Sequence, residues 1–373
     1  MQFKYIFPLV VSTLLAACTQ LPEPDAPVAL RFAEALNVAF RPDSLPIQDG
    51  WQPLDAGRLL VKSFELPAFR QQPTAEVALT LRSAGDPWDK SGCLVVWADG
   101  PEVAEALAEG RAPETPAVEL LRFITPFGVG HFNEKAEDYK PVYVPKWADS
   151  VAWRADVTPL LPLLEGKFHL GLYIDTWSGE GHILSGQIHL TPTPALLHPK
   201  ADRTVLPVLN TTKFFSDQET FTGFADGPVS TAFTAPRDLA SAALYLTTTG
   251  HGGHSEGDEF IPREHIVRLD GREIDRFTPW RDDCASFRRF NPSSGVWTEP
   301  AVWRGDSIEE RIASSDYSRS GWCPGSDVPP RVVELGDLAS GPHTLTIEIP
   351  EAQPYTDQEM NFFNVAAHLV GMP

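Results

Sequence analysis

The chain has 373 residues and a formal charge of −20, from 50 acidic against 30 basic side chains. The acids are spread along it and no basic stripe occurs, which excludes the phosphate contacts that a nucleic-acid partner requires. With 35 prolines and 27 glycines, long helices have little room and short strands are expected.

At the start, Lys4, an apolar run from Ile6 to Leu15 and then Leu15-Ala16-Ala17-Cys18 read as a secretory signal ending in a lipobox. Residues 1–18 are thus expected to be a lipoprotein signal, with the Cys18 thiol acylated. The apolar run is too short to span a bilayer, so membrane contact would be by the lipid anchor alone. Gln20 stands where Asp would favour inner-membrane retention. The expected location is therefore the cell envelope of a Gram-negative bacterium, at the outer membrane or cell surface. Residues 19–28 are proline-rich and aperiodic, a stiff tether. Three cysteines remain for an oxidising compartment. Cys93 lies in the apolar run Cys93-Leu94-Val95-Val96-Trp97 and reads as a small buried hydrophobe. Cys284 and Cys323 both lie in turn-rich sequence and are the candidate disulfide.

The chain beyond the tether is too long for one compact core. Strands are expected over 59–64, 76–81, 93–97, 118–124, 167–174 and 182–190, several alternating apolar and polar residues with period two. Glu102 to Gly110 is the one short helical stretch. A Pro-Thr-rich break near 195–203 separates a second set of strands over 204–209, 229–233, 242–248, 265–269, 332–335, 341–349 and 361–370. The fold class is all-β: two antiparallel β-sandwich domains of jelly-roll type, residues 29–195 and 203–373. A tethered two-domain monomer is the default state.

Five segments have compositions suited to chemistry. Gly85-Asp86-Pro87-Trp88-Asp89-Lys90 sets an acid between an indole and an ammonium, where Asp89 could activate water, Lys90 hold it ionised and Trp88 stack on a sugar. Read alone, Asp-Pro-Trp-Asp is an ordinary Asx turn. The second is Arg122-Phe123-Ile124-Thr125-Pro126-Phe127. In Tyr173-Ile174-Asp175-Thr176-Trp177, alternation would bring Asp175 and Trp177 out on one face of a strand, an arrangement suited to carbohydrate. The run from Thr248 to Phe260, with His251, His254, Asp258 and Glu259 among glycines, is a loop rich in proton-transfer groups. Finally Arg319, Trp322 and Cys323 share the tight loop Tyr317 to Gly325.

Taken in this order and spacing, the segments resemble the bacterial peptide-N-glycosidase F family, and the resemblance runs from about residue 50 to the C-terminus. It implies two jelly rolls side by side with a site between them. The implied reaction is hydrolysis of the amide between an asparagine side chain and the innermost N-acetylglucosamine of an N-linked glycan, without cofactor. By the same resemblance, Asp89 is the principal catalytic acid and Glu259 a second acid at the chitobiose core, with Arg319 as its partner. Asp175 stands where the family has Glu, and Lys90 where it has a substrate-contacting Arg. Trp177 and Trp322 would shape the cleft, Trp88 and His251 are further substrate-binding candidates there, and Cys284 and Cys323 match a family disulfide. The expected partners are N-glycosylated peptides or proteins.

Two other functions compete. A non-catalytic glycan-binding lipoprotein would keep the cleft and its aromatics while losing turnover. A copper or zinc enzyme would use His251 and His254, completed by His265 or Glu259, on the double jelly roll that copper monooxygenases share.

Overall fold

The computed structural model describes residues 26–42, 49–67, 69, 72–192, 202–215, 220–252, 257–356 and 358–373. The lipobox, Cys18, most of the tether, the break at 193–201 and His254 lie outside these residues.

In chain order the first half forms β1 (Val28–Val38), β2 (Gln52–Leu54), β3 (Leu59–Leu66), β4 (Pro73–Ser83), β5 (Ser91–Ala98), helix α1 (Pro101–Glu109), β6 (Val118–Ile124), β7 (Val151–Asp156), β8 (Gly166–Ile174) and β9 (His182–Pro192). Two antiparallel sheets result, one in the order β1-β9-β4-β7 and one in the order β2-β3-β8-β5-β6. β4 alternates buried and solvent-facing residues along its length, as a sheet with one wet face demands. β5, β6 and most of β8 are buried on both faces. Leu60, Leu94, Val96, Leu170 and Leu172 enter the sandwich core. Leu59, Val61, Cys93, Val95, Trp97 and Tyr173 point outward, beneath Val103 and Leu107 of α1 and Phe214 and Phe215 of the following segment. That second cover explains the unbroken apolar run at Cys93 to Trp97, and Cys93 is buried and unbridged as expected. α1 starts at Pro101 and ends at Gly110, whose φ of 73° supplies the left-handed cap.

The second half forms β10 (Thr204–Asn210), β11 (Val229–Ala235), β12 (Leu239–His251), β13 (His265–Leu269), β14 (Arg272–Phe277), β15 (Val296–Trp303), β16 (Asp306–Ala313), β17 (Arg331–Leu338), β18 (Gly341–Glu348) and β19 (Phe362–Met372). Its sandwich pairs the sheet β10-β19-β12-β17 with the sheet β11-β18-β13-β14, and β15 and β16 form a separate hairpin. Leu244, Leu246, Val267, Leu345, Ile347, Val365 and Leu369 fill the space between the sheets. At about 1.5–3 kcal/mol per fully buried aliphatic side chain, such a core stabilises the domain on its own account.

The two sandwiches are joined by hydrogen bonds. β6 is extended by the loop after Trp322: Ile124 N donates to Ser326 O at 2.9 Å, Gly325 N to Ile124 O at 3.1 Å and Val328 N to Arg122 O at 2.9 Å. Beneath this seam the buried Arg122 guanidinium pairs with Glu119 on its own strand. It also reaches across to Thr249 Oγ1 at 3.1 Å, Asn364 O at 3.1 Å and Thr212 Oγ1 at 3.0 Å. The Arg-Phe-Ile-Thr-Pro segment is thus first of all an interdomain rivet.

Two local expectations differ. β8 ends at Ile174, so Asp175 and Trp177 do not share a strand face; they lie in the connection beyond it. β12 continues to His251, so the first four residues of the glycine and histidine run are strand rather than loop, paired throughout with β19.

Candidate active site

The Asp86 turn is built from the inside. The Asp86 carboxylate is fully buried, accepts from Thr176 Oγ1 at 2.6 Å and from Trp88 N at 3.0 Å, and lies 3.5 Å from His182 Nε2. Burial opposes its charge, but the nearby His182 imidazole and the Thr176 hydroxyl outweigh that and hold the carboxyl below its usual range. Asp86 therefore makes the Asx turn, and Trp88 and Asp89 are freed from it. Thr125 fixes the far end, accepting from Lys90 N at 2.8 Å through its hydroxyl and donating to Lys90 O at 2.8 Å through its amide. Trp88 is 60% exposed, an open indole face at the rim.

Across the domain boundary, Arg319 faces Asp89. Its side chain is 1% exposed, packed 5.0 Å over the Phe260 ring and 4.9 Å over the Trp322 ring. Nε donates to Glu259 Oε1 at 2.8 Å and Nη1 to Tyr317 O at 3.0 Å. Nη2 lies 3.8 Å from Asp89 Oδ2, beyond hydrogen-bond reach, so the ion pair leaves that oxygen available. Gly321 allows this turn: its φ is +84°, and a Cβ there would come within 2.8 Å of Thr248 O. The disulfide between Cys284 and Cys323 ties the loop down, as the sequence suggested.

Burial raises the Asp89 carboxyl most. The Arg319 charge lowers it, the Glu259 charge raises it and Lys90 lowers it, leaving its pKa pushed up to about 7. A carboxyl poised near neutrality can take a proton and give it back.

Asp175 and Trp177 meet on one cation. Arg58 Nη1 is 3.1 Å from Asp175 Oδ1, and the guanidinium sits 4.4 Å over the Trp177 ring and 2.7 Å from buried Asp55. Tyr173 Oη also donates to Asp175 Oδ1, at 3.4 Å. Burial raises the Asp175 carboxyl more than Arg58 and Lys90 lower it. Arg58, Tyr173, Asp175 and Trp177 line a pocket of about 280 Å³ with Tyr355, Phe362 and Asn364 of the second domain. The Asp175 amide donates to Ser91 O at 2.9 Å, which sets this pocket beside the Asp86 turn.

Two expected cleft residues are corrected. Trp322 is 2% exposed and its Nε1 donates to Gly250 O at 2.8 Å, so it supports Arg319 from below and presents no face to a ligand. His251 is buried, stacked between Trp322 and Phe362 at 5.3 and 4.9 Å, with Nε2 on Thr249 Oγ1 at 2.8 Å. Burial, with the Arg122 and Arg319 charges, takes its pKa down to about 3 and keeps it neutral. His265 bonds through both ring nitrogens, to Thr248 Oγ1 at 3.0 Å and Arg263 O at 3.1 Å, so it has no nitrogen to offer a metal. Among the described residues no group of three or more His, Cys, Asp or Glu is arranged to hold an ion. Arg58 was missed by sequence reasoning, and Asp86 and Thr125 were read only as parts of their segments, without the supporting roles they have. Only strand pairing, which sets Leu59 opposite Tyr173, places Arg58 beside Asp175.

Both halves of the chain match known family models. The one described as Peptide-N-glycosidase F, N terminal, matches residues 36–190, and the one described as Peptide-N-glycosidase F, C terminal, matches residues 221–370. The peptide-N(4)-(N-acetyl-beta-D-glucosaminyl)asparagine amidase F of Elizabethkingia miricola is 24% identical over 231 residues, 60% of this chain and 55% of that protein. A solved structure of PNGF-II is 31% identical with a TM-score of 0.79, covering 92% of this chain and 65% of that one. The chain thus spans somewhat over half the length of the first relative and just under two thirds of the second. PNGase F from Flavobacterium meningosepticum, 19% identical with a TM-score of 0.61 over 93% of this chain and 96% of that one, shares the fold.

Proposed function

This chain belongs to the peptide-N-glycosidase F family, and on that premise we propose that it hydrolyses the amide joining an asparagine side chain to the innermost N-acetylglucosamine of an N-linked glycan. The observation that carries the reading is the shared guanidinium: Arg319 holds Glu259 at 2.8 Å and stands 3.8 Å from Asp89, whose carboxyl is poised at about 7.

In this reading ionised Asp89 accepts a proton from water as the water oxygen bonds to the amide carbon. Arg319 and Lys90 offset the negative charge that develops on the carbonyl oxygen. The carbon–nitrogen bond then breaks, Asp89 returns the proton to the departing nitrogen, and a glycosylamine and an aspartate result. Glu259, fixed by Arg319, and Asp175 with Trp177 would orient the sugar. No step requires a metal or cofactor. Arg58 holds the Asp175 carboxylate in place at 3.1 Å.

The lipobox supports display of this activity on the outer membrane or cell surface, with residues 19–28 as the spacer. The direct test is incubation with a denatured N-glycoprotein, following glycan release and conversion of Asn to Asp by mass spectrometry. Release by the parent and none by an Asp89→Asn variant that still binds glycan is the expected result. Binding by both with release by neither would instead favour a glycan-binding protein.

A further inference from the structure

A second concavity, of about 1080 Å³, opens beside the Asp86 turn and is almost four times the volume of the Asp175 pocket. Pro87 lines it, two residues before Asp89, and so does Asp316, three residues before Arg319. The turn from Asp86 to Ser91 therefore runs from this groove to the Asp175 pocket, with Asp89 between them. A substrate cleaved at Asp89 has two arms leaving the scissile amide, one sugar and one polypeptide.

We propose that this groove binds the polypeptide arm of the glycosylated substrate, an inference that rests on the amidase reading. One wall is the connection between β6 and β7, residues 125–150, a length of irregular chain that compact domains seldom keep without use. It is built as a wall. Asn133 Nδ2 donates to Ala148 O at 3.0 Å, and Ala148 N donates to Arg289 O of the second domain at 3.0 Å. The other wall is the segment from Arg288 to Val296, which the disulfide at Cys284 ties to the Arg319 loop.

The lining matches a peptide better than a sugar. Apolar Pro87, Phe132, Val142 and Pro292 alternate with charged Lys135, Asp138 and Lys140, the mixture of side-chain chemistries a polypeptide presents, with Tyr139 and Tyr143 more than half exposed at its edge and Val142 fully exposed. Its apolar part takes amino-acid side chains, and its charged part pairs with a peptide's own charges and amides. Within the lining, Arg288 is 2% exposed and stacked 4.9 Å from the Trp147 ring. Its Nη1 donates to Asn291 O, but its buried Nε makes no hydrogen bond, Asp316 Oδ1 standing 3.9 Å away.

The test compares two substrates with the same glycan: a single glycosylated asparagine with blocked ends, and a long glycopeptide with apolar residues on both sides. The double variant Val142→Asp, Tyr139→Ala alters only exposed side chains. It is expected to raise KM for the long glycopeptide about tenfold and leave the single glycosylated asparagine unchanged. Equal loss on both substrates, or none on either, overturns the proposal. So does a loss that follows outer-glycan length at fixed peptide, which would assign the groove to oligosaccharide. Should the parent release no glycan, the amidase reading fails by itself, and the groove is judged by titrating the aglycosyl Asp-containing peptide against tryptophan fluorescence. Binding weakened about tenfold in the double variant then supports a peptide groove, and equal binding overturns it.

Discussion

Arg319 binds Glu259 through Nε at 2.8 Å while its Nη2 stops 3.8 Å short of Asp89, so one buried guanidinium holds one carboxylate fast and leaves the other free to exchange a proton. The asymmetry divides the roles. Glu259 Oε1 is engaged by Nε, whereas Asp89 Oδ2 accepts no hydrogen bond from this guanidinium.

Replacing Asp89 by Asn keeps the shape of the turn, because Asp86 and Thr125 hold its backbone ends. Removal of a positioned general base is expected to lower kcat by about 10²–10⁴-fold while glycan affinity persists. Single-turnover kinetics on a glycopeptide, with binding measured separately, reads both. Loss of binding together with activity would place Asp89 in recognition instead.

The pH profile carries a sign. In the proposed reaction ionised Asp89 is the active form, and with its pKa pushed up to about 7, kcat/KM should rise with pH through neutrality. Glu259 raises that pKa and Lys90 lowers it. Glu259→Gln should therefore move the acid limb to lower pH, and Lys90→Met should move it higher. Shifts in the same direction for both variants would show that another group sets the limb.

Arg122 and Glu119 form a buried pair at the domain seam, with side chains 1% and 4% exposed. Arg122→Met leaves Glu119 uncompensated and strips three bonds to the second domain, and should cost about 3–5 kcal/mol. Urea denaturation checks this. The double replacement of both residues by Met should recover most of the loss, since it removes the stranded charge as well.

The bond between Cys284 and Cys323 closes a separation of 39 residues. Replacing both by Ala should cost about 2–4 kcal/mol through the freed unfolded chain. It should also reduce kcat, because Trp322 and Arg319 ride on the same loop. A full rate with lowered stability would show that the loop keeps its geometry without the staple.

Much of the architecture could be read along the chain. Period-two alternation in some segments and short apolar runs bounded by turn residues in others placed thirteen strands in their positions, and the turn-rich surroundings of Cys284 and Cys323 identified the bridge. The strands that escaped, β1, β2, β7 and the β14 to β16 group, are short, irregular or strongly charged. Asp89, Glu259 and Arg319 stood out through the order of their segments, and the structure brings these three together.

What the sequence by itself determined is therefore what depends on local pattern and on the order of its motifs: an acidic two-sandwich chain, its resemblance to a family and the segments that supply Asp89, Glu259 and Arg319. What only the tertiary structure decided depends on neighbours distant in the chain. The Asp175 carboxylate and the Trp177 indole are held by Arg58, 117 residues from Asp175. Asp86, nominally a turn residue, is a buried support because Thr176 folds onto it from 90 residues away. His251 and Trp322, expected in the cleft, are packed under Arg319, since β12 runs past its apolar pattern to carry His251 inside and Trp322 stacks on that ring. Local periodicity reports which face of an element is apolar. Which charges meet, and so which proton can move, is set only when separate strands converge.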